Sequence, residues 1–289
     1  MTPPPRLIFW ELTKRCNLRC QHCRAIPESR AVPGELDTAH AKKFLTDLSE
    51  FAKPLMIFTG GEPLTRPDLF DIASHAHALR FRTALATNGT LLTEKMATHI
   101  RDAHFERVAI SLDGSKSETH DSFRRQVGAY DRAIMGAQNL LRLGIPLQIN
   151  TTATQHNVSE IPAIFDLARS LGAIAFHLFL LVPIGCGLEI TEEEQLKGAQ
   201  YEDLLGWLLN KEVEGGIEIR ATCAPHYYRL KAERGLPIHG KGFLAGTGVC
   251  FIGHRGDVQG CGYLPLVAGN ILDKPFPEIW EESSLFQSL

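Results

Sequence analysis

Up to Gly187 the chain alternates short apolar, β-branched runs with longer segments in which apolar residues return every three or four positions. The runs "RLIFWEL" (6–12), "LMIFTGG" (55–61), "RTALATNG" (82–89), "RVAISLDG" (107–114), "PLQINTTAT" (146–154) and "IAFHLFLLVP" (174–183) read as six strands. Between them a helix is predicted over 38–51, with Asp37 as its N-cap. Further helices are predicted in "DLFDIASHAHAL", "EKMATHIRDA", "AYDRAIMGAQNLLRLG" and "EIPAIFDLARSLG". A βα repeat of this kind predicts a parallel sheet with strands buried on both faces. The expected fold class is α/β, a partial (β/α)6 barrel of the TIM type, whose chemistry would sit at the C-terminal ends of the strands. Those ends read "TKRC", "TGGEP", "ATNG", "SLDG", "NTT" and "LLVPIG", a row of polar and glycine-rich residues.

Beyond Gly187 the rhythm changes. "EITEEEQLKGAQYEDLLGWLLNK" predicts one helix with an acidic head. From Gly215 the chain is richer in Gly, Cys, His and Tyr, with strand candidates in "IEIRAT" and "GVCFIGHRGDVQGCGYL". The expected organisation is a barrel domain over 1–214 followed by a small, irregular α+β extension over 215–289.

Composition adds limits rather than a function. The 289 residues are 44% hydrophobic and 22% charged, as in ordinary globular proteins, and the formal net charge of −3 argues against a nucleic-acid partner held by bulk electrostatics. The N-terminus lacks the pattern of a signal peptide. The longest apolar run, "AIAFHLFLLVPIG", is short of the roughly 20 residues that a membrane span needs. A cytoplasmic protein with no membrane partner is expected. In a reducing compartment, clustered cysteines are metal ligands or redox groups more often than disulfides.

Three of the seven cysteines stand together in "KRCNLRCQHCRA". Cys16, Cys20 and Cys23 follow a C-x3-C-x2-C spacing directly after the first strand. A structural zinc or a filled cluster takes four ligands. A zinc knuckle would have to add His22, next to Cys23, an awkward geometry for one ion. Three ligands with an open fourth corner suit a site that binds something else. Asn88 and Asn150, on strand ends, are candidate site-facing polar groups. "TGGEP" (Gly60, Gly61, Glu62, Pro63) offers backbone carbonyls and a carboxylate to a cationic amine, and reads equally well as a tight turn.

The cysteine spacing, with His22 in the place of an aromatic residue before the last cysteine, resembles the signature of radical S-adenosylmethionine enzymes. That resemblance spans roughly residues 6–187. It implies a [4Fe-4S] cluster on Cys16, Cys20 and Cys23, its fourth iron chelated by S-adenosylmethionine, whose one-electron cleavage yields a hydrogen-abstracting 5′-deoxyadenosyl radical. It further implies that Gly60 to Pro63 receive the amine of the cofactor and that Ser111 and Asp113 make ribose and carboxylate contacts. Arg124, or its neighbour Arg125, would pair with the methionine carboxylate, and Val182 would contact adenine. An electron donor such as a ferredoxin or flavodoxin would serve the cluster.

The element from Gly256 to Cys261 resembles the start of a twitch or SPASM extension, which holds auxiliary clusters. Cys223, Cys250 and Cys261 would then be ligands of an incomplete or externally completed auxiliary cluster, or else inert thiols. Phe243 stands where the family commonly has a cysteine, and the chain stops about where further clustered cysteines would follow, so a minimal or shortened extension is expected. Cys186 is assigned no role. "QINTT", "FLLVPIGCG" and "TCAPHYYR" resemble the branch that modifies tetrapyrroles. The resemblance is nearest to the iron-coproporphyrin decarboxylase, with sirohaem or haem d1 precursors as the alternative substrate. Arg220, His226, Tyr227, Tyr228, Arg229 and His254 would meet such a substrate. A peptide-modifying maturase and a non-catalytic iron–sulfur carrier are the other readings. The carrier has no need of "TGGEP", "SLDG" and Arg124 together. Peptide maturases often carry an N-terminal recognition domain, and few residues precede the first strand.

Overall fold

The computed structural model describes residues 3–238 and 243–289. All six predicted strands form: β1 (Leu7–Glu11), β2 (Leu55–Thr59), β3 (Thr83–Thr87), β4 (Arg107–Ser111), β5 (Leu147–Ala153) and β6 (Ala175–Leu180). Each pairs in parallel with the next. Strands from the C-terminal region continue the same sheet on both flanks. β7 (Glu218–Thr222) pairs in parallel with β6, and β8 (Val249–Ile252) pairs in parallel with β1. β9 (Asp257–Cys261) and β10 (Leu264–Asn270) follow antiparallel, giving ten strands in the order β10-β9-β8-β1-β2-β3-β4-β5-β6-β7.

The helices α1 (Thr38–Phe51), α2 (Leu69–Ala78), α3 (Glu94–Asp102), α4 (Ser117–Arg124), α5 (Ala129–Arg142) and α6 (Ile161–Leu171) occupy the crossovers. Asp37 caps α1 as expected, its side chain accepting from the His40 N–H at 2.8 Å. The buried stripe of α1, Ala41, Phe44, Leu45 and Leu48, follows the helical period. It packs on the outer face of the sheet, where Trp10 meets Phe44 and Phe58 edge to face at 5.1 and 5.7 Å. Each such aromatic contributes about 1.5–3 kcal/mol through burial.

The expectation of burial on both faces holds only for the outer one. Ile8, Trp10, Met56, Phe58, Leu85, Val108, Ile110, Ile149, Phe176 and Leu178 are essentially inaccessible. Their strand neighbours on the concave face, such as Phe9, Ile57, Ala84, Ser111, Asn150 and His177, are only half-buried. The sheet is open between β10 and β7, so its inner side is a lined trough, unlike the packed interior of a closed barrel.

The helix expected over 189–211 is broken. A 3-10 turn (Gly185–Ile190) and a short α7 (Thr191–Glu194) precede α8 (Gly198–Glu214). Gln195 is extended, Leu196 is buried, and the end of α7 is tied to the loop after β5 through Gln155 N–H to Glu194 O at 2.8 Å. Burying Leu196 and serving that loop outweigh continued helical bonding. α9 (Pro225–Glu233) packs on α8, and α10 (Phe276–Glu282) packs on α1, while the Trp280 indole donates to Pro3 O at 3.0 Å.

Candidate active site

The cysteine loop leaves β1 at the C-terminal mouth of the sheet and is stitched down from two sides. Beyond β2, the Gly61 N–H donates to Thr13 O and the Glu62 N–H to Arg15 O, each at 2.7 Å, prolonging the β1–β2 ladder past its last strand residue. A Cβ on Gly61 would lie 2.3 Å from Arg15 O, and one on Gly60 would lie 2.7 Å from Thr13 O, so side chains are excluded by backbone on this edge. From the far end, the Cys186 N–H donates to Cys23 O at 2.9 Å and the Cys186 thiol to Ala25 O at 3.3 Å. Gly185, at φ +59, would place a Cβ 2.2 Å from Arg24 O. The "TGGEP" and "VPIGCG" segments therefore clamp the loop between the second and sixth strands. Cys186 belongs to that clamp, a position its surroundings in the sequence do not signal.

Burial pushes the Cys16 thiol up to about 12 and the Cys23 thiol up to about 11, with the neighbouring cysteine thiols adding to the rise. Cys20, also buried, takes a hydrogen bond from Arg124 Nη1 at 3.5 Å. The raised Cys16 and Cys23 thiols would ionise beside concentrated positive charge, of the kind that bound iron would supply. Among the described residues no three His, Cys, Asp or Glu side chains converge closely enough to hold a single ion. The zinc knuckle needs His22 as its fourth ligand, whereas a multi-iron cluster takes one thiolate per iron. His22 is no ligand here: its ring stacks on Phe123 at 4.1 Å, with Nε2 3.5 Å from Asp113 Oδ2. Burial drives its pKa down to about 3 despite the pull of Asp113.

Glu62 is fully buried and already serves three donors. It accepts from Thr87 Oγ1 at 2.8 Å, Asn88 N–H at 2.7 Å and Leu64 N–H at 3.1 Å. Burial raises its carboxyl to about 7 against those bonds. Pro63 is buried in the turn that Glu62 caps. Asn88 reaches towards the loop, donating to Asn17 Oδ1 at 2.9 Å and lying 4.0 Å from Cys16 Sγ. Asp113 and Arg124 close on each other as a buried ion pair. Burial disfavours the Asp113 carboxylate, yet Arg124 and His22 hold it below its ordinary range, and Asp113 in turn keeps Arg124 charged. Arg125 is exposed and caps α4 in a left-handed conformation, so of the two arginines only Arg124 faces the loop. Ser111 and Asn150 are half-buried on the concave face, and Val182 is half-buried in the loop after β6.

The three C-terminal cysteines do not come together. Cys223 follows β7 and Cys261 ends β9; burial raises both thiols, with Cys261 adding to the rise at Cys223. Cys250 lies on β8 in register with Ile8, on the outer side of the sheet, wholly buried in apolar surroundings. Strand alternation puts it on the face opposite Phe251 and Cys261. Two thiols do not fill a cluster, so an auxiliary site is incomplete among the described residues. Phe243 is exposed. Of the six residues expected to meet substrate, only Arg220 and His254 lie on the concave side. Tyr227 bonds Glu212 on α8, Arg229 pairs with Glu202 and Glu233, and His226 packs on Tyr201, with Tyr228 beside Tyr227 on the same helix.

Two polar clusters on the concave face surround residues expected at the substrate, His254 and Arg220, with others that no motif marks. Glu11 accepts from Arg24 Nη2 at 2.5 Å and from His254 Nδ1 at 2.8 Å, and the Arg24 guanidinium lies over Phe251 at 4.6 Å. Arg107, Gln148, His177, Glu218 and Arg220 form a second network across β4 to β7. Their one sequence signal is parity: within each strand they share the alternate positions occupied by Ser111 and Asn150.

A family model for the radical SAM superfamily matches residues 10–168. The chain is 45% identical to the AdoMet-dependent heme synthase of Methanosarcina barkeri, covering 100% of this chain and 86% of that protein. It is 33% identical to the pre-heme d1 synthase of Dinoroseobacter shibae, over 96% of this chain and 74% of that one. The crystal structure of Streptococcus suis SuiB bound to S-adenosylmethionine shares the fold at a TM-score of 0.81 and 16% identity, covering 98% of this chain and 67% of its own. With the cysteine loop clamped at the mouth of a partial barrel, these likenesses agree: the chain belongs to the radical SAM superfamily, whose members use a [4Fe-4S] cluster and S-adenosylmethionine.

Proposed function

We propose that this enzyme oxidatively decarboxylates propionate side chains of an iron-coproporphyrin, leaving vinyl groups. The observation that carries the reading is an apolar wall in the trough beneath the cysteine loop, made by Phe9 and Ile57, half-buried side by side on the concave face of β1 and β2. A flat macrocycle has the large apolar face that such a wall accommodates, and a peptide backbone, rich in unpaired polar groups, does not. The 45% identity to a heme synthase supports the same choice.

Cys16, Cys20 and Cys23 would hold the cluster, which with S-adenosylmethionine supplies hydrogen-abstracting radical chemistry when bound. The residues around it do the positioning. With Glu62 committed to Thr87, Asn88 and Leu64, the carbonyls of Gly60 and Gly61 are the acceptors on offer to the cofactor's amine. Arg124, clamped by Asp113, offers a fixed guanidinium beside Cys20, while Ser111, Asn150 and Val182 line the approach. Each propionate converted loses a β-hydrogen atom, carbon dioxide and one electron, so the reaction needs an electron acceptor as well as a reductant of the ferredoxin or flavodoxin type. Cys223 and Cys261 would be ligands of an auxiliary cluster only with ligands from elsewhere.

The test is anaerobic reconstitution with iron and sulfide, then an assay for reductant-dependent 5′-deoxyadenosine with and without iron-coproporphyrin III. Stimulation by the porphyrin with loss of carboxyl mass is the expected result. Indifference to it, with stimulation by a haem d1 precursor or a peptide, would replace the substrate while keeping the radical chemistry.

A further inference from the structure

The concave face is chemically lopsided. On β1 and β2 half-buried Phe9 and Ile57 are apolar, with the Glu11, Arg24 and His254 cluster at the end of β1; on β4 to β7 it is polar, carrying Arg107, Gln148, Asn150, His177, Glu218 and Arg220. The register sets Ser111, Asn150, His177 and Arg220 side by side in one row across β4, β5, β6 and β7. Beneath them Glu218 is the single carboxylate for two arginines: Arg107 Nη2 reaches Oε2 at 3.0 Å, and Arg220 Nε reaches Oε1 at 2.9 Å.

Two features show that this network is not closed on itself. Arg220 spends only Nε on Glu218, its terminal nitrogens have no partner among the described residues, and its side chain is 68% exposed. The second feature is His177. Gln148 Nε2 lies 2.7 Å from Asn150 Oδ1 and 2.9 Å from His177 Nδ1. An amide nitrogen only donates, so Nδ1 accepts and the ring proton sits on Nε2. That Nε2 is buried with no hydrogen-bond partner, 3.8 Å from Glu218 Oε1. A closed polar network would leave no buried N–H without a partner, yet the ring of His177, in register with Arg220, carries one.

We infer that Arg220 and Arg107, with the His177 Nε2–H, form a carboxylate-binding subsite that receives a propionate of the substrate, an assignment that rests on the tetrapyrrole reading above. The guanidinium fork of Arg220 matches a carboxylate in two parallel hydrogen bonds, and Glu218 holds both arginines towards the trough. The macrocycle then lies across from the subsite against Phe9 and Ile57. Its orientation under the cysteine loop is fixed by which propionate is clamped, and so is the choice of propionates left free to react. Gln148 and Asn150 act as positioning residues by setting the His177 tautomer.

The experiment titrates the reconstituted full chain, under anaerobic conditions, with iron-coproporphyrin III and with its tetramethyl ester, following the porphyrin absorption band. The wild type is expected to bind the acid at least about 10-fold more tightly than the ester, the scale of one charge-assisted pair. Arg220→Gln should weaken acid binding by about 10-fold and leave ester binding unchanged, and Arg220→Lys should restore part of the loss. Because the Arg220 side chain is largely exposed, the variant is expected to fold, which its iron content and thermal midpoint verify. Arg229→Gln, on the outer face of α9, is the control and should alter neither titration. Equal acid affinity in wild type and Arg220→Gln, with the porphyrin still bound, overturns the subsite while the tetrapyrrole reading stands. A wild type that binds neither porphyrin overturns both.

Discussion

Replacing Gly61 by alanine adds one methyl group at the most crowded point of the loop clamp. That methyl would stand 2.3 Å from Arg15 O, 2.6 Å from Lys14 O and 2.7 Å from the Arg15 carbonyl carbon. All three are backbone atoms, so no side chain can swing aside. Restoring ordinary contact at 3.4 Å means parting the end of β2 from the cysteine loop by about an ångström. The two 2.7 Å hydrogen bonds that join them, from Gly61 and Glu62 to Thr13 and Arg15, would break. Each bond is worth about 1 kcal/mol net, and each buried donor left unpaired costs about 1–3 kcal/mol. A loss of about 2–6 kcal/mol is therefore expected, large against the total stability of a domain. Because the segment displaced carries Cys16, iron binding should fall with it. Urea unfolding of the apo chain measures the first effect, and iron and sulfide per chain after reconstitution the second. If Gly61→Ala unfolds within about 0.5 kcal/mol of wild type and takes up the same iron, the clamp does not position the loop, and the reasoning from backbone contact fails.

Cys250→Ala should cost about 1–2 kcal/mol from the space it leaves in the apolar core and leave iron content untouched, whereas Cys16→Ala should abolish most iron uptake; iron analysis of the two side by side decides whether Cys250 is structural. Asp113→Asn strands the buried Arg124 charge and should destabilise by about 3–5 kcal/mol in a urea melt, with Asp113→Ala no better, since charge and not shape is what is lost. Asp68 accepts from Arg66 and Thr38, and these bonds hold its carboxyl below its ordinary value of 3.8 although burial opposes them. A depressed carboxylate contributes stability above its unfolded pKa and loses it as pH falls through its folded pKa. Asp68→Asn should therefore be less stable than wild type at pH 7, with the gap between the two urea midpoints narrowing on acidification below pH 4; a constant gap would refute the linkage.

The sequence by itself determined the six central strands, their parallel crossovers and the cysteine loop. Apolar runs and helical periods are local properties, and a C-x3-C-x2-C spacing needs no partner to be read. Asn88 and Asp113 stand out because they follow strands, whereas Arg124, at the end of α4, is marked only by the family resemblance. What joins them was not legible. Asp113 and Arg124 close on one another, and Glu62 turns inward to Thr87 and Asn88, because burial at the mouth leaves each charged group seeking the nearest donor or acceptor. Tertiary structure alone set Cys250 apart from Cys223 and Cys261, since the choice of face depends on β8 pairing with a strand some 240 residues earlier in the chain. It alone made Cys186 part of the clamp, and it gathered Arg107, Gln148, His177, Glu218 and Arg220 into one wall. Those five residues come from four separate strands, and only hydrogen-bonded register, which no short stretch of sequence encodes, brings their side chains to the same face.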